Sequence, residues 1–486
     1  MNNNPTVHWF RTDLRLSDNP ALCWAAERGA PVLGLYVVDT TATRAPGGAS
    51  RWWLGQSLTA LAEALAAAGS ALVILKGDPA ALLPELADRI SAGAVVWNRR
   101  YGAADRALDA ALKTRLRQSG RLVQSFNSHL LREPWEVRSA AGQPMKVFTP
   151  FWRAARAMGP FAPPCPAPAR LGDGASAPLL ACLDGLPRLA PADILRVPAH
   201  ADWTLGLGQA FRPGEAAARD LLAQFLDEIL ESYTDDRDRP DRPATSRLSP
   251  HLAFGEIGPR QIAAATAMAE AADGSGRLSR HAEKFLAELG WREFSYHLLY
   301  SSPAMADQPI AAKFAAFPWQ DDPAALAAWQ RGRTGYPIVD AGMRQLWQTG
   351  WMHNRVRMVV ASFLIKHLQI DWREGERWFW DTLVDADPAS NPASWQWVAG
   401  CGADAAPYYR IFNPVLQGLK FDPDGAYVRC FVPELARLPA AHIHAPWLAP
   451  AAVLAEAGIV PGQTYPAPIV DHSAARARAL AVYQAL

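Results

Sequence analysis

Pro31-Val32-Leu33-Gly34-Leu35-Tyr36-Val37-Val38 is an unbroken apolar run of strand length. Apolar residues at consecutive positions, without alternation, mark a strand buried on both faces. Four more short runs flank it: Val7-His8-Trp9-Phe10, Ala71-Leu72-Val73-Ile74-Leu75, Ala94-Val95-Val96-Trp97 and Leu122-Val123-Gln124-Ser125-Phe126. Helix-like stretches rich in Ala, Leu and Arg separate them, among them Gly55 to Ala68 and Ala103 to Gln118. This alternation predicts a doubly wound parallel sheet with helices on both faces. No GxGxxG follows the first run, so the dinucleotide fingerprint is absent. Any ligand of this layer is expected at the carboxyl ends of the strands.

The texture changes beyond Pro134. Met158-Gly159-Pro160-Phe161-Ala162-Pro163-Pro164-Cys165-Pro166 holds too much proline for a regular element, and Gly172 to Pro178 is small and polar. Residues 135–208 therefore read as a long linker. From Pro213 onward helical spacing dominates: Glu215 to Leu230, Arg280 to Leu299, Tyr336 to Gln348, His353 to Leu368 and Glu374 to Leu383. The expected fold class is α/β plus all-α. An α/β domain spans 1–134, the linker follows, and an all-helical domain spans 209–486.

Composition excludes several classes. The net charge over 486 residues is +1, which is not that of a nonspecific nucleic-acid coat, although a local basic groove is compatible with it. No apolar stretch reaches the roughly 18 residues of a membrane span. Met1 to Thr6 is polar and shows no secretion signal, so the expected location is the cytoplasm. The five cysteines lie far apart with no CxxC pair, which argues against zinc or an iron-sulfur cluster; they read as reduced packing thiols. Of the 19 tryptophans, eleven follow Lys284, and core packing accounts for most.

Four constellations carry possible chemistry. Glu288, Trp291, Arg292 and Ser295 share one helix face, a poor core pattern, although a solvated face with one exposed Trp also fits. Asn354, Arg357, Met358 and Ala361 repeat that spacing; two arginines and an amide beside Met and Trp suit a flat anionic ligand, or a helix start with surface arginines. Asp385-Ala386-Asp387 has no third ligand at metal spacing, so no metal is expected; a polar turn explains it, but not the Trp395-Gln396-Trp397 that follows. Thr245-Ser246-Arg247-Leu248-Ser249 before a helix suits phosphate, or simply caps the helix.

Trp9-Phe10-Arg11-Thr12-Asp13-Leu14-Arg15-Leu16-Ser17-Asp18-Asn19 resembles the N-terminal signature of the photolyase/cryptochrome family. Residues 334–346 (Thr-Gly-Tyr-Pro-Ile-Val-Asp-Ala-Gly-Met-Arg-Gln-Leu), 351–358, 370–376 and 410–414 resemble its flavin domain. The resemblance runs nearly end to end and in order. It implies FAD in the helical domain, with Tyr233 and Thr245, Ser246, Arg247, Leu248 and Ser249 at its phosphates. It places Asp385, paired to Arg357, and Asp387 beside the isoalloxazine and adenine-ribose, and Asn391 at the flavin N5. Trp395, Trp372 and Trp319 match the family's electron relay, with Trp378 and Trp380 as a branch. The implied reaction is light-driven repair of pyrimidine dimers in damaged DNA, by an electron lent from excited reduced FAD to a flipped-out dimer and then returned.

Glu288 and Asn391 are the implied catalytic groups beside the relay. Trp291, Trp397, Asn354 and Met358 would complete the dimer pocket, and Arg237, Arg292, Arg355 and Gln417 would contact DNA. Asn354 and Met358 stand where relatives that repair (6-4) photoproducts resemble one another in carrying histidines, which favours cyclobutane dimers. The chain stops at Leu486 with no long signalling tail, which favours repair over a cryptochrome-type receptor. Phe285 replaces a Trp common in bacterial relatives. Asn391-Pro392-Ala393-Ser394 departs from class I and resembles class III photolyases. Ala104 replaces an Asn that class I enzymes use for folate, while Asp105 keeps the acid. The antenna is expected to be 5,10-methenyltetrahydrofolate, with 8-hydroxy-5-deazaflavin as the alternative. The resemblance further implies a monomer with no obligate protein partner, at the nucleoid when bound to damage.

Overall fold

The computed structural model describes residues 4–194, 203–404 and 409–486. Residues 1–3 and 195–202 of the expected leaderless N-terminus and linker lie outside that description. The five apolar runs form β1 (Thr6–Phe10), β2 (Val32–Asp39), β3 (Leu72–Gly77), β4 (Ala94–Asn98) and β5 (Leu122–Phe126). They make one parallel sheet in the order β3-β2-β1-β4-β5, with Val7 opposite Leu33 on one side and Val95 on the other. Both faces are covered, which is why the runs do not alternate. Val7, Leu33, Leu35, Val95 and Trp97 pack under α3 (Pro79–Arg89) and α4 (Ala103–Gln118). Phe10, Val32, Ile74 and Val96 pack under α1 (Pro20–Glu27) and α2 (Gly48–Ala67).

The crevice at the carboxyl ends of β1 and β4 is filled by the chain itself. Asp13 Oδ2 accepts from Asn98 Nδ2 at 2.6 Å and meets His8 Nε2 at 3.2 Å. Burial pushes the Asp13 carboxyl up, but His8, the Arg11 amide and Asn98 outweigh it and hold it well below the carboxylate range. The 9–19 signature then docks the helical layer. Leu14 N donates to Phe254 O at 3.2 Å, Arg15 Nη1 to Gly255 O at 2.8 Å, and Glu215 accepts from Leu16 N at 2.7 Å.

The expected linker contains one substantial helix, α5 (Phe148–Ala157), just before its proline-rich stretch. Phe148, Phe151, Trp152 and Ala155 fall at i, i+3, i+4 and i+7 and are buried. They pack on α6 (Ser279–Ser301), where Gly290 leaves room for Trp152: a Cβ there would lie 2.6 Å from its ring. Gly290→Ala would overpack this contact at a cost of roughly 1–3 kcal/mol. The expected 353–368 helix starts at Asn354 with His353 as its cap. It runs as α7 (Asn354–Ser362) into a single π turn over Phe363–His367. Cys23 and Cys165, remote in sequence, bring their Sγ atoms to 3.0 Å.

Candidate functional site

The helical layer encloses a cavity of about 550 Å³, inside the roughly 300–1,000 Å³ range of ligand and cofactor sites. One wall is the expected stripe of α6: Glu288, Trp291, Arg292 and Ser295 all line it. The second is the stripe of α7, Asn354, Arg357, Met358 and Ala361, with Arg355 beside them. The third combines Asp385 and Asp387 with Asn391, Trp395 and Trp397 of α9 (Ser390–Ala399). Tyr233, Arg237, Ser246, Leu248 and Ser249 close the remaining side.

The two aspartates differ in how their oxygens are spent. Asp387 Oδ1 accepts from Ala389 N at 2.9 Å and Ser390 N at 2.6 Å, at the start of α9, and Oδ2 accepts from Tyr296 OH at 2.6 Å. Burial and this aspartate push the Tyr296 phenol well up. Asp385 pairs through Oδ2 with Arg357 Nη2 at 2.7 Å, as expected, and its buried Oδ1 has no partner among the described residues. An unpaired buried carboxylate oxygen is costly, so this atom marks where a donor belongs.

Glu288 sits between Lys284, at 3.0 Å, and Arg237. Lys284 was missed in the sequence, although it stands four residues before Glu288 on the same helix. Trp291 stacks on Phe148 of α5, with centroids 3.9 Å apart and planes at 10°. Nothing in the sequence pointed to Phe148, because it sits in the linker. Gln396 explains half of the Trp-Gln-Trp motif: it is fully buried and binds Ile310 N at 2.8 Å and Met305 O at 2.6 Å, leaving both tryptophans to the cavity. Asn391 Nδ2 donates to Glu376 Oε1 at 2.7 Å. With cations on two walls and aromatic rings between them, the cavity suits a flat ligand that carries anionic groups.

Several expected residues lie off its wall. Arg247 takes a left-handed backbone (φ 52°) and turns its guanidinium onto Phe211, 4.3 Å away, donating to Ala210 O at 3.2 Å. Thr245 precedes it and does not line the cavity, and neither does Gln417. Arg292 lines the cavity but spends its guanidinium on His129, donating to its main-chain O at 2.7 Å. Phe285 does line the cavity, and it packs on Phe225 and Tyr233, at 4.3 and 5.5 Å.

The relay candidates grade outward. Trp395 lines the cavity and packs on Phe379 at 5.0 Å. Gly375 leaves no room for a Cβ beneath the Trp395 ring, so α8 (Trp372–Thr382) lies directly against it. Trp372 opens α8 and is buried, while Trp319 is half-buried and packs on Phe317 at 4.0 Å. Of the two branch candidates, Trp378 stacks on the exposed Trp347 at 5.9 Å. Trp380 is covered by Arg44 at 3.9 Å and donates to Ala45 O at 2.8 Å.

Comparison with known proteins agrees with this geometry. The DNA photolyase model matches residues 6–169, and the model for the FAD binding domain of DNA photolyase matches 285–485. The chain belongs to the DNA photolyase family. It is 51% identical to a deoxyribodipyrimidine photo-lyase of Agrobacterium fabrum, covering 99% of this chain and 98% of that one. It is 38% identical to Cryptochrome-1 of Arabidopsis thaliana, covering 97% of this chain and 69% of the relative. Its fold is that of a bacterial class III photolyase from Agrobacterium tumefaciens, with a TM-score of 0.93, 50% identity, and coverage of 100% and 98%. The expected class III likeness is thus found in structure, and this photolyase-family chain carries the family's FAD-binding domain. Among the described residues no helix is long and apolar enough to cross a membrane.

Proposed function

We propose that this chain repairs cyclobutane pyrimidine dimers in DNA under light. One observation carries the reading: a single cavity is lined by Glu288, Trp291, Asn354, Met358 and Trp397, and among the described residues no histidine lines it. A (6-4) photoproduct pocket would need a proton donor there. FAD, bound and reduced in this cavity, supplies the light absorption and the electron that opens the cyclobutane ring and then returns.

The unpaired Oδ1 of Asp385, the cations and the aromatic walls fit that cofactor. Arg357 orients Asp385, and Asp387 fixes the start of α9. Asn391, on the cavity wall, would face the flavin N5 when the cofactor is bound. Tyr233, Ser246, Leu248 and Ser249 meet the phosphate side, while Thr245 and Arg247 hold the turn that presents them. The lesion must leave the duplex to enter, and a damaged base costs less to extrude. Trp291, backed by Phe148, and Trp397 stack against the extruded bases. Glu288, held by Arg237 and Lys284, and Asn354 meet their polar edges, and Met358 fills the gap. Arg355 and Gln417 are candidates for DNA contact, as are Arg237 and Arg292, whose guanidiniums are already engaged by Glu288 and His129 within the chain. Trp395, Trp372 and Trp319 bring electrons from the surface, with Trp378 and Trp380 as a branch.

The division into residues 1–134, 135–208 and 209–486 belongs to this reading. So do a methenyltetrahydrofolate antenna (or a deazaflavin) beside the sheet, a monomeric state, and a cytoplasmic location at the nucleoid during repair. The test is illumination of the reduced protein with oligonucleotides carrying either a cyclobutane dimer or a (6-4) photoproduct. Restoration of the first alone supports the reading. A blue-light receptor, the second reading favoured by the Arabidopsis cryptochrome match, would leave both untouched.

A further inference from the structure

We propose that Cys23 and Cys165 are a modification site: they close to a reversible disulfide that ties the proline-rich linker to the sheet layer. Cys165 attacks the oxidant and Cys23 resolves it. The two thiols are 142 residues apart in sequence, yet their Sγ atoms lie 3.0 Å from each other. Cys23 stands on α1, and Cys165 in the irregular stretch from Gly159 to Pro166. Both are half-buried, so a small oxidant can reach them. Each is also held by its own backbone. Asp18 N donates to Cys165 O at 2.7 Å, and Asp18 is ion-paired to Arg260 at 2.8 Å. Cys23 N donates to Asn19 O at 2.9 Å, in a helix whose start the Asn19 side chain caps. The two sulfurs therefore meet between backbones fixed on both sides.

The pair is chemically unequal. The S–H of Cys23 donates to Cys165. That bond brings the Cys165 thiol down from its ordinary 9.0 to about 7, with burial and Asp18 opposing and Arg260 assisting. The same bond, with burial and the charge of Glu27, pushes the Cys23 thiol well up. Arg260 acts on Cys165 and Glu27 on Cys23, so the surrounding charge also favours the thiolate on Cys165. Among the described residues the other three cysteines have no thiol within hydrogen-bond reach. Cys401 is buried and its thiol is pushed up to about 12, Cys182 donates to Pro178 O at 3.3 Å, and Cys430 is exposed.

A low-molecular-weight disulfide is the oxidant. The Cys165 thiolate attacks one of its sulfurs, forms a mixed disulfide and releases the first small thiolate. Cys23 passes its proton to that thiolate, attacks the Cys165 sulfur and releases the second small thiolate. The two electrons lost by the pair have reduced the small disulfide to two thiol products. The new bond closes a loop of 142 residues and so restricts the unfolded chain. It also fastens irregular surface chain to the layer that carries the 9–19 signature. Under a reducing thiol pool such a bond is transient, which makes it a redox-sensing staple.

The test treats FAD-loaded protein with oxidised glutathione, quenches with acid, alkylates, and maps each cysteine by mass spectrometry. The expected result is a linked Cys23–Cys165 peptide that dithiothreitol reverses. It should form at least about tenfold faster than glutathione adds to Cys182 or Cys430, since only a thiolate attacks. The oxidised samples should also unfold at a higher denaturant concentration than the reduced ones. Cys23→Ser keeps a hydrogen-bond donor but removes the resolving thiol. Cys165 should then accumulate as the mixed disulfide with glutathione, and the unfolding midpoint should not rise. In Cys165→Ser, Cys23 should react at least about tenfold more slowly than Cys165 does in Cys23→Ser. Absence of the linked peptide from the parent protein overturns the proposal, whether or not the variants fold. A linked peptide without a higher midpoint overturns the stapling role. Equal reactivity in the two variants overturns the assignment of Cys165 as the attacking thiol.

Discussion

Asp385→Asn probes the one cavity aspartate with an oxygen to spare. Oδ2 holds Arg357 at 2.7 Å, Oδ1 is buried without a partner among the described residues, and the side chain is 3% exposed. A ligand N–H or O–H donated to that oxygen forms a charged hydrogen bond worth roughly 1.5–3 kcal/mol. Asparagine keeps the volume. Its carbonyl must stay on Arg357, because a guanidinium only donates, so its NH2 turns to the cavity. A donor then meets a donor. At about 1.4 kcal/mol per decade, FAD affinity should fall by roughly tenfold to 150-fold. The stripped protein should change little. Arg357 keeps its bond to Met352 O at 2.7 Å and is about a quarter exposed, so its charge stays solvated. The assay is titration of FAD into stripped protein by flavin fluorescence, with denaturant unfolding of the same samples. A folded variant that binds FAD within threefold of the parent would refute the reasoning, because the free oxygen would then have no role in holding the cofactor.

Trp291→Ala should weaken binding of a dimer-containing single strand by about 1–3 kcal/mol, the scale of one stacked base, with FAD content unchanged; equal affinity by fluorescence anisotropy would remove Trp291 from the substrate wall. Burial pushes the Glu293 carboxyl up from its ordinary 4.5 to about 7, against the pull of Arg292 and the Leu131 and Arg132 amides. Its folded value is raised, so the stability it adds is fully present below about pH 4.5 and is lost as pH rises through about 7, by about 3 kcal/mol at most. Glu293→Gln should flatten the decline in unfolding free energy across that window, and parallel pH profiles would count against this. Trp319→Phe should slow light-driven reduction of the oxidised protein yet spare repair by chemically reduced protein; loss of both would rule out a relay role for Trp319.

The sheet was legible because strands covered on both faces leave continuous apolar runs, and Val32 to Val38 is such a run. The helix Phe148–Ala157 was hidden by Pro150 within it and the prolines after it, although its apolar residues keep helical spacing. The π turn at Phe363–His367 leaves no trace, since apolar residues continue through it. The stripes on α6 and α7 were visible from spacing alone, and both line the cavity. Spacing could not say which of Asp385 and Asp387 spends its oxygens inside the chain, because that depends on where α9 begins and on Tyr296 from a remote helix. Nor could it show that a left-handed residue swings Arg247 away. Glu376 lay inside a family-like segment, but its partners Arg44 and Asn391 are distant in sequence. Residue chemistry reached a large site for a flat anionic ligand, while the flavin and the light came from resemblance.

The most direct measurement follows one defined thymine dimer in an oligonucleotide mixed with the FAD-loaded, reduced protein, in light and in darkness. The account predicts intact thymines after illumination over many turnovers, none in the dark, and no net consumption of reduced flavin. Dimers that persist under light, with both FAD and the oligonucleotide bound, would contradict it.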